Sequence, residues 1–185
     1  MISDLVIILP DGSERHLAPK STGADLAADI GGRAAREALI AVADGIQIDL
    51  NTALSNNSQV SLIFPNSDEG IEVLRHSTAH VLAQAVLSLY PGATFSIGPP
   101  IQDGFYYDFD LPGDQTFNDD DLATIESKMR EIVGRKQPFI RSEVDRAAAN
   151  ELFANHPYKL EILDGEADDP MSGPEGGVIT TYRNT

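Results

Sequence analysis

ISDLVIILPDGSERHL, at residues 2–17, is the stretch that best predicts how the first part of the chain folds. Residues 2–9 are rich in β-branched and aliphatic side chains, which favour a β-strand. The PDGS segment at residues 10–13 is typical of a tight turn, because Asp and Gly tolerate the backbone angles that a chain reversal needs. We therefore expect a β-hairpin whose second strand passes through Arg15 and Leu17.

The rest of the first 64 residues alternates short helical and strand patterns. Thr22 is predicted to cap a helix that runs to Ile30, and Gly31-Gly32 ends it. Strand patterns follow at residues 39–43, 46–48 and 60–64. This combination predicts an α+β domain of the β-grasp type at residues 1–64, followed by a linker at residues 65–70.

Residues 71–185 predict a second α+β domain, in which a long helix packs on an antiparallel sheet. The helical pattern covers residues 68–90, with acidic residues at its start and Pro91-Gly92 at its end. Asn118 is predicted to cap a second helix and Asp145 a third. The predicted strands of this domain lie at residues 94–97, 105–109, 139–144, 158–163 and 178–182.

Composition excludes several classes of function. The chain has 185 residues, of which 42% are apolar, so it can bury a core. It has no cysteine, which excludes disulfides, thiolate zinc ligands and a cysteine nucleophile within it. Its formal net charge of −16 repels the phosphate groups of RNA, so RNA binding needs a local basic patch or another part of a longer protein. No stretch has the pattern of a membrane helix or a signal peptide, and we expect a cytoplasmic protein.

His76 and His80 are the most specific candidates for chemistry. Four residues make about one helical turn, so we expect both imidazoles to point the same way, roughly 6 Å apart. Such a pair can act in general acid–base catalysis, orient a water molecule or ligate a metal. Two histidines packed with satisfied nitrogens are the structural alternative. In a zinc protease a glutamate would follow the first histidine, where Ser77 stands, and we expect no metal within these residues.

Tyr107 and Lys159 lie on predicted strands of the second domain. A tyrosine between Phe105 and Phe109 is typically part of a core, its hydroxyl bonded to one partner. A single lysine such as Lys159 is typically a solvated charge. Neither residue indicates a function by itself.

Several segments resemble one family. IILPDGS at residues 7–13 resembles the start of a TGS domain, which threonyl-tRNA synthetases share with stringent-response enzymes and certain GTPases. The segments LRHSTAH, SIGPP and GFYYDFD, at residues 74–80, 96–100 and 104–110, resemble the second domain of bacterial threonyl-tRNA synthetases. Alanyl-tRNA synthetases share the two-histidine helix but have no TGS domain in front. The resemblance covers essentially the whole chain and implies an N-terminal fragment, with a TGS domain at residues 1–64 and a C-terminally truncated editing domain at residues 71–185.

The second domain of this family is an editing hydrolase. Serine differs from threonine by one missing methyl group, so the synthetic site can discriminate against it by only about 1–3 kcal/mol of binding free energy. The resemblance implies that the editing domain hydrolyses the mischarged seryl-tRNA(Thr) that results. It implies His76, His80, Tyr107 and Lys159 as catalytic residues, and Gly98 as a backbone contact to the bound amino acid. Histidines can orient water or shuttle a proton, whereas tyrosine and lysine can hold the terminal adenosine or stabilise charge on the carbonyl oxygen.

The chain departs from the family pattern in one respect. The family motif Asp-x-Cys-x-Gly-Pro-His is absent from it, which implies an incomplete editing site and weak or no activity of the fragment alone. No cofactor is implied here, whereas ATP, Mg²⁺ and zinc are implied for the aminoacylation domain of the full enzyme. The implied partner is tRNA(Thr), chiefly its acceptor end. We expect a monomeric fragment, a homodimeric full enzyme and no membrane contact.

Two other functions remain open from the sequence. The chain could be a non-catalytic module whose TGS domain binds RNA or a regulator, with the second domain as a scaffold. That hypothesis predicts binding that does not depend on the two histidines. A metal-dependent hydrolase is the other, and it predicts a bound metal ion.

Overall fold

The computed structural model of the chain describes residues 4–95, 100–101, 103–113, 115–154, 160–161, 163 and 179–184. Its packing divides the chain into two compact units, Met1–Leu74 and Arg75–Thr185. The division falls inside a continuous helix that begins in the first unit. No helix among the described residues is long and apolar enough to cross a membrane.

The first unit is a five-stranded sheet with two helices. The strands are β1 (Leu5–Ile8), β2 (Glu14–Leu17), β3 (Ile40–Ala43), β4 (Ile46–Asp49) and β5 (Ser58–Ile63), and the helices are α1 (Gly23–Ile30) and α2 (Ala34–Glu37). The strand order is β2-β1-β5-β3-β4. The central strands β1 and β5 are parallel, and the other neighbours are antiparallel. This arrangement confirms the predicted α+β, β-grasp fold.

The predicted turn and cap of the first unit are confirmed. In the β1–β2 turn, the Leu9 N–H donates to the Ser13 carbonyl at 2.8 Å, and the Asp11 carboxylate accepts from the Ser13 N–H at 2.9 Å. The Thr22 hydroxyl accepts from the Asp25 N–H, and the Asp25 carboxylate accepts from the Thr22 N–H. These reciprocal bonds satisfy donors that would otherwise lack a partner at the start of α1.

The core of the first unit lies between the sheet and α1. Alternate residues of β1 and β5 face the helix, and Ile7, Leu26 and Val60 are almost completely buried there. Burying each such side chain stabilises the fold by about 1.5–3 kcal/mol. The tight turn Asp44-Gly45, in which both residues have positive φ angles, connects β3 to β4, the strand at one edge of the sheet.

The second unit combines helices with short strand pairs. Its elements are α3 (Asp68–Leu89), whose first residues belong to the first unit, β6 (Thr94–Phe95), β7 (Pro100–Ile101), β8 (Gly104–Phe105), β9 (Phe109–Asp110), α4 (Asp119–Gly134), β10 (Phe139–Val144), α5 (Arg146–Leu152) and β11 (Ile179–Asn184). The described strands form three antiparallel pairs, β6–β9, β7–β8 and β10–β11. Val81 and Val86 of α3 pack with Ile125 and Ile132 of α4 in the core of this unit.

The segment that connects β5 to α3 is closely packed against the first turn of α3. The Ser67 hydroxyl accepts from the Gly70 N–H at 3.0 Å and donates to the Phe64 carbonyl at 3.2 Å. A Cβ atom on Gly70 would lie 1.8 Å from that same carbonyl oxygen. Only glycine therefore fits this position without movement of the backbone.

The structure departs from the sequence-based expectations in three places. Helical periodicity puts Ile71 and Leu74 on the same face of α3 as Val81 and Leu82, yet they are 39% and 41% exposed, because the described core of the second unit includes α3 residues only from Val81 onward. The predicted strand at 158–163 is wrong for its described residues 160, 161 and 163, which are helical. The predicted strand at 105–109 is interrupted at 106–108, although alternate side chains remain more buried as expected.

Candidate functional site

His76 and His80 lie in direct contact on α3. Their Nε2 atoms are 3.0 Å apart, the ring centroids are 4.5 Å apart, and the ring planes are nearly perpendicular at 89°. Both side chains are half-buried. The sequence predicted the shared direction of the rings, and the separation is shorter than the expected 6 Å because the rings turn toward each other.

The contact between the two imidazoles has a direct chemical consequence. In a hydrogen bond between the Nε2 atoms, one nitrogen donates its proton and the other accepts it with its lone pair. The accepting ring must therefore be neutral, with its own proton on Nδ1. Protonating both rings would place two positive charges in contact, which is unfavourable. The pair therefore shares one proton at this position, and it can both take up and release a proton.

The two histidines belong to a polar row along α3. His76, His80 and Gln84 follow one another at intervals of four residues, so they lie on one face of the helix. The Gln84 side-chain amide donates to the Gln137 side-chain carbonyl at 3.5 Å. The neighbouring positions Ala83 and Ala85 are buried. A polar row on an otherwise apolar helix segment indicates a site more than a solvated surface.

Strands β10 and β11 bring two aromatic rings to this row. The centroids of Phe139 and Tyr182 each lie 6.3 Å from the centroid of His80. The two rings are 37% and 42% exposed, so part of each is open to solvent. His80 is thus bordered by aromatic side chains whose outer parts can contact another molecule.

Arg141 adds a positive charge to the face of this strand pair that carries the two rings next to His80. Its guanidinium Nη1 donates to the Glu143 carboxylate at 2.6 Å, and its side chain is 40% exposed. In the antiparallel register Arg141 lies directly opposite Tyr182. The two side chains therefore project from the same face of the pair.

Tyr107 belongs to an aromatic cluster of the second unit. Its ring stacks on Phe109 at 5.2 Å and meets Phe95 edge-on at 5.6 Å. Phe109 in turn contacts Phe117, which packs edge-on against Tyr90. The contacts between these rings fix the orientation of the phenol, which stands half-buried.

Two predicted site residues, Gly98 and Lys159, lie outside the described residues. The structure therefore brings together His76 and His80 and fixes Tyr107 in its cluster. Among the described residues, no three His, Asp or Glu side chains lie close enough together to hold a metal ion.

The sequence alone does not indicate which residues surround the two histidines. Phe139 and Tyr182 are far from His80 along the chain, and no local pattern predicts that they meet it. Gln84 had a signal, because it continues the four-residue spacing of the two histidines. A strand at residues 139–144, as predicted, places Phe139 and Arg141 on one face, but the sequence does not indicate what that face borders.

Comparison with known proteins gives two findings. Residues 5–64 match the family model of the TGS domain. Threonine–tRNA ligases are similar over most of the chain: that of Rubrobacter xylanophilus is 43% identical over 89% of this chain and 25% of its own length, and that of Granulibacter bethesdensis is 41% identical over 96% and 26%. The ligase of Maricaulis maris is 42% identical over 96% of this chain and 26% of its own length. The chain spans about a quarter of the length of these relatives.

Proposed function

We propose that the chain is the N-terminal region of a threonine–tRNA ligase and that its second unit hydrolyses mischarged seryl-tRNA(Thr). The first part of the proposal is supported by the comparisons, because the chain carries a TGS domain and is homologous, over about nine-tenths of its length, to threonine–tRNA ligases. The hydrolysis is supported by the pair of imidazoles in contact on α3.

Ester hydrolysis needs a proton to leave one oxygen and to reach another. A water oxygen attacks the carbonyl carbon of the seryl ester while a base takes its proton, and a tetrahedral oxyanion forms. The oxyanion collapses, the bond to the ribose oxygen breaks, and that oxygen takes up a proton. A histidine pair with a 3.0 Å hydrogen bond between its Nε2 atoms offers a neutral ring as the base and a ring nitrogen that can return the proton.

The other residues implied by the family resemblance take supporting roles in this proposal. Tyr107 and Lys159 would hold the terminal adenosine or stabilise the oxyanion, and Gly98 would contact the serine through its backbone. ATP, Mg²⁺ and zinc would act in the aminoacylation reaction of the ligase and take no part in these steps. The proposal also places the protein in the cytoplasm, with tRNA(Thr) as its partner.

A selectivity measurement tests this function. Purified ligase carrying this chain is mixed with seryl-tRNA(Thr) and, separately, with threonyl-tRNA(Thr), and the loss of each ester is followed. We expect discharge of the seryl ester well above its spontaneous rate, with the threonyl ester largely spared. Equal discharge of both esters, or discharge of neither, would contradict the proposal. In the second case, RNA binding that survives replacement of both histidines by alanine would favour a non-catalytic binding module, which the TGS match also allows.

A further inference from the structure

Positive charge is concentrated around β10. Residues 126–146 hold six of the chain's 13 lysines and arginines but only four of its 29 acidic residues. Arg183 on the facing strand adds another cation, opposite Ile140. The remainder of the chain is therefore even more acidic than the net charge of −16 indicates. This segment is the part of the sequence best suited to approach phosphate groups.

Most of the cations on α4 already have partners along the helix. Lys128 and Arg135 share the carboxylate of Glu131, and Arg130 pairs with Glu126 at 2.5 Å. These pairs follow helical spacing and serve the helix itself. Among the described residues beyond the helix, Arg141 in β10 shares its strand face with the two rings next to His80.

Arg141 shares one face of the strand pair with two aromatic rings. Side chains alternate along β10, so Phe139 and Arg141 project to the same side, and Arg141 is directly opposite Tyr182. Both rings lie 6.3 Å from His80. We call Phe139, Arg141 and Tyr182 the aromatic–arginine face. It borders the histidine pair, whereas Ile140 projects to the opposite side.

The composition of this face fits unpaired nucleotides. Partly exposed aromatic rings stack on bases irrespective of sequence, and a guanidinium pairs with a phosphate. Bases inside an RNA duplex are stacked on one another, so only single-stranded nucleotides can offer their faces. The ion pair of Arg141 with Glu143 is about half-exposed on both sides, and such pairs exchange readily because they contribute little.

We propose that the aromatic–arginine face binds the unpaired 3′-terminal nucleotides of the tRNA, with Phe139 and Tyr182 against bases and Arg141 on a phosphate. This inference rests on the proposed function, since it names the part of the substrate that the face holds. Because the face borders His80, nucleotides held there would leave the terminal ester beside the histidine pair.

Binding of a defined RNA tests the face directly. The probe is an RNA hairpin with the acceptor-stem sequence of tRNA(Thr) and a single-stranded CCA 3′ end, and its binding to the 185-residue chain is measured by fluorescence anisotropy. Tyr182→Ala and Arg141→Gln should each weaken binding by about fivefold or more. Arg141→Gln should also reduce the dependence of binding on salt by about one phosphate contact. The same hairpin without the CCA end should bind the wild-type chain no better than the variants bind the full probe.

Matched controls separate this role from a loss of structure. Ile140→Ala removes an exposed apolar side chain from the opposite side of β10, and Arg36→Gln removes an exposed cation from the first unit. Both should bind the probe like the wild-type chain, and so should Tyr182→Phe, which keeps the ring. If the controls lose as much affinity as Tyr182→Ala and Arg141→Gln, or if all variants bind as tightly as wild type, the assignment is overturned.

The test also distinguishes this inference from the proposed function. In the ligase that carries this chain, Arg141→Gln should raise the tRNA concentration at half-maximal discharge by about fivefold and leave the saturated rate unchanged. If the wild-type ligase discharges no seryl-tRNA but the face variants still lose RNA binding, the hydrolytic function fails and the face stands. If seryl-tRNA is discharged and the half-saturating concentration is the same in Arg141→Gln, the face fails and the function stands.

Discussion

The phenol of Tyr90 donates a 2.6 Å hydrogen bond to the carboxylate of Asp121. Tyr90 directly follows the end of α3, and Asp121 stands in the first turn of α4, where it also accepts from the N–H of the cap residue Asn118. One carboxylate therefore caps α4 and ties its start to the end of the helix that carries the histidines.

This bond makes the stability of the second unit depend on pH. The Tyr90 hydroxyl, and then the Asn118 N–H, hold the pKa of Asp121 below its usual value of 3.8. Stability from the carboxylate is therefore fully present above about pH 4 and is lost as the pH falls through the lowered pKa. The same bond raises the pKa of Tyr90 above 10.0, so its contribution is lost only as the pH rises beyond that value.

Asp121→Asn should flatten the acid limb of the stability curve. We expect a lower melting temperature than wild type at pH 7 and a smaller further drop between pH 4 and pH 2, because the variant has no carboxylate to protonate. Thermal melting followed by circular dichroism at each pH checks this. Asp119→Asn, in the same helical turn, serves as the charge-matched control. Parallel acid limbs for wild type and Asp121→Asn would show that the bond carries no stability.

Leu26→Ala should destabilise the first unit. Leu26 is completely buried between α1 and the sheet, so its truncation should lower the free energy of unfolding by about 2–5 kcal/mol. Ile46→Ala is the control, since Ile46 is 67% exposed. Urea unfolding followed through NMR amide signals of residues 5–63 gives both values. If both variants lost a similar amount of unfolding free energy, the position of Leu26 in the core would be contradicted.

Gly70→Ala should disturb the junction at the start of α3. The new Cβ atom would lie 1.8 Å from the Phe64 carbonyl oxygen, a backbone atom that cannot move alone, and we expect a loss of about 1–3 kcal/mol. Gly134→Ala is a matched control, because its Cβ atom meets nothing within 4 Å and should stabilise the end of α4 by about 0.5–1 kcal/mol. Melting temperatures that rise in both variants would contradict the close contact between position 70 and the Phe64 carbonyl.

The sequence predicted features set by neighbouring residues. The β1–β2 turn, the capping residues Thr22 and Asn118, and the common direction of His76 and His80 all follow from spacing over two to four residues. These features depend on local backbone geometry, which a short stretch of sequence specifies.

Contacts between distant segments could not be predicted in the same way. The strand β11 pairs with β10 across a long stretch of chain and brings Tyr182 to His80, and nothing near either residue in the sequence indicates this contact. The exposure of Leu74 has the same origin, because helical periodicity shows which residues share a face but not where the core begins to cover it. The alternation of apolar residues at 158–163 indicated a strand where the described residues are helical, since short apolar runs are compatible with both structures.

Single-turnover discharge of seryl-tRNA(Thr) by a ligase in which His80 is replaced by alanine tests whether the histidine pair performs the hydrolysis. Loss of the shared proton between His76 and His80 should slow discharge by about 10²- to 10⁴-fold, while attachment of threonine to the tRNA by the same preparation stays unchanged. Ser88→Ala, at an exposed position two turns further along α3, should discharge like wild type. Discharge at the wild-type rate in His80→Ala would contradict the claim that the histidine pair performs the hydrolysis.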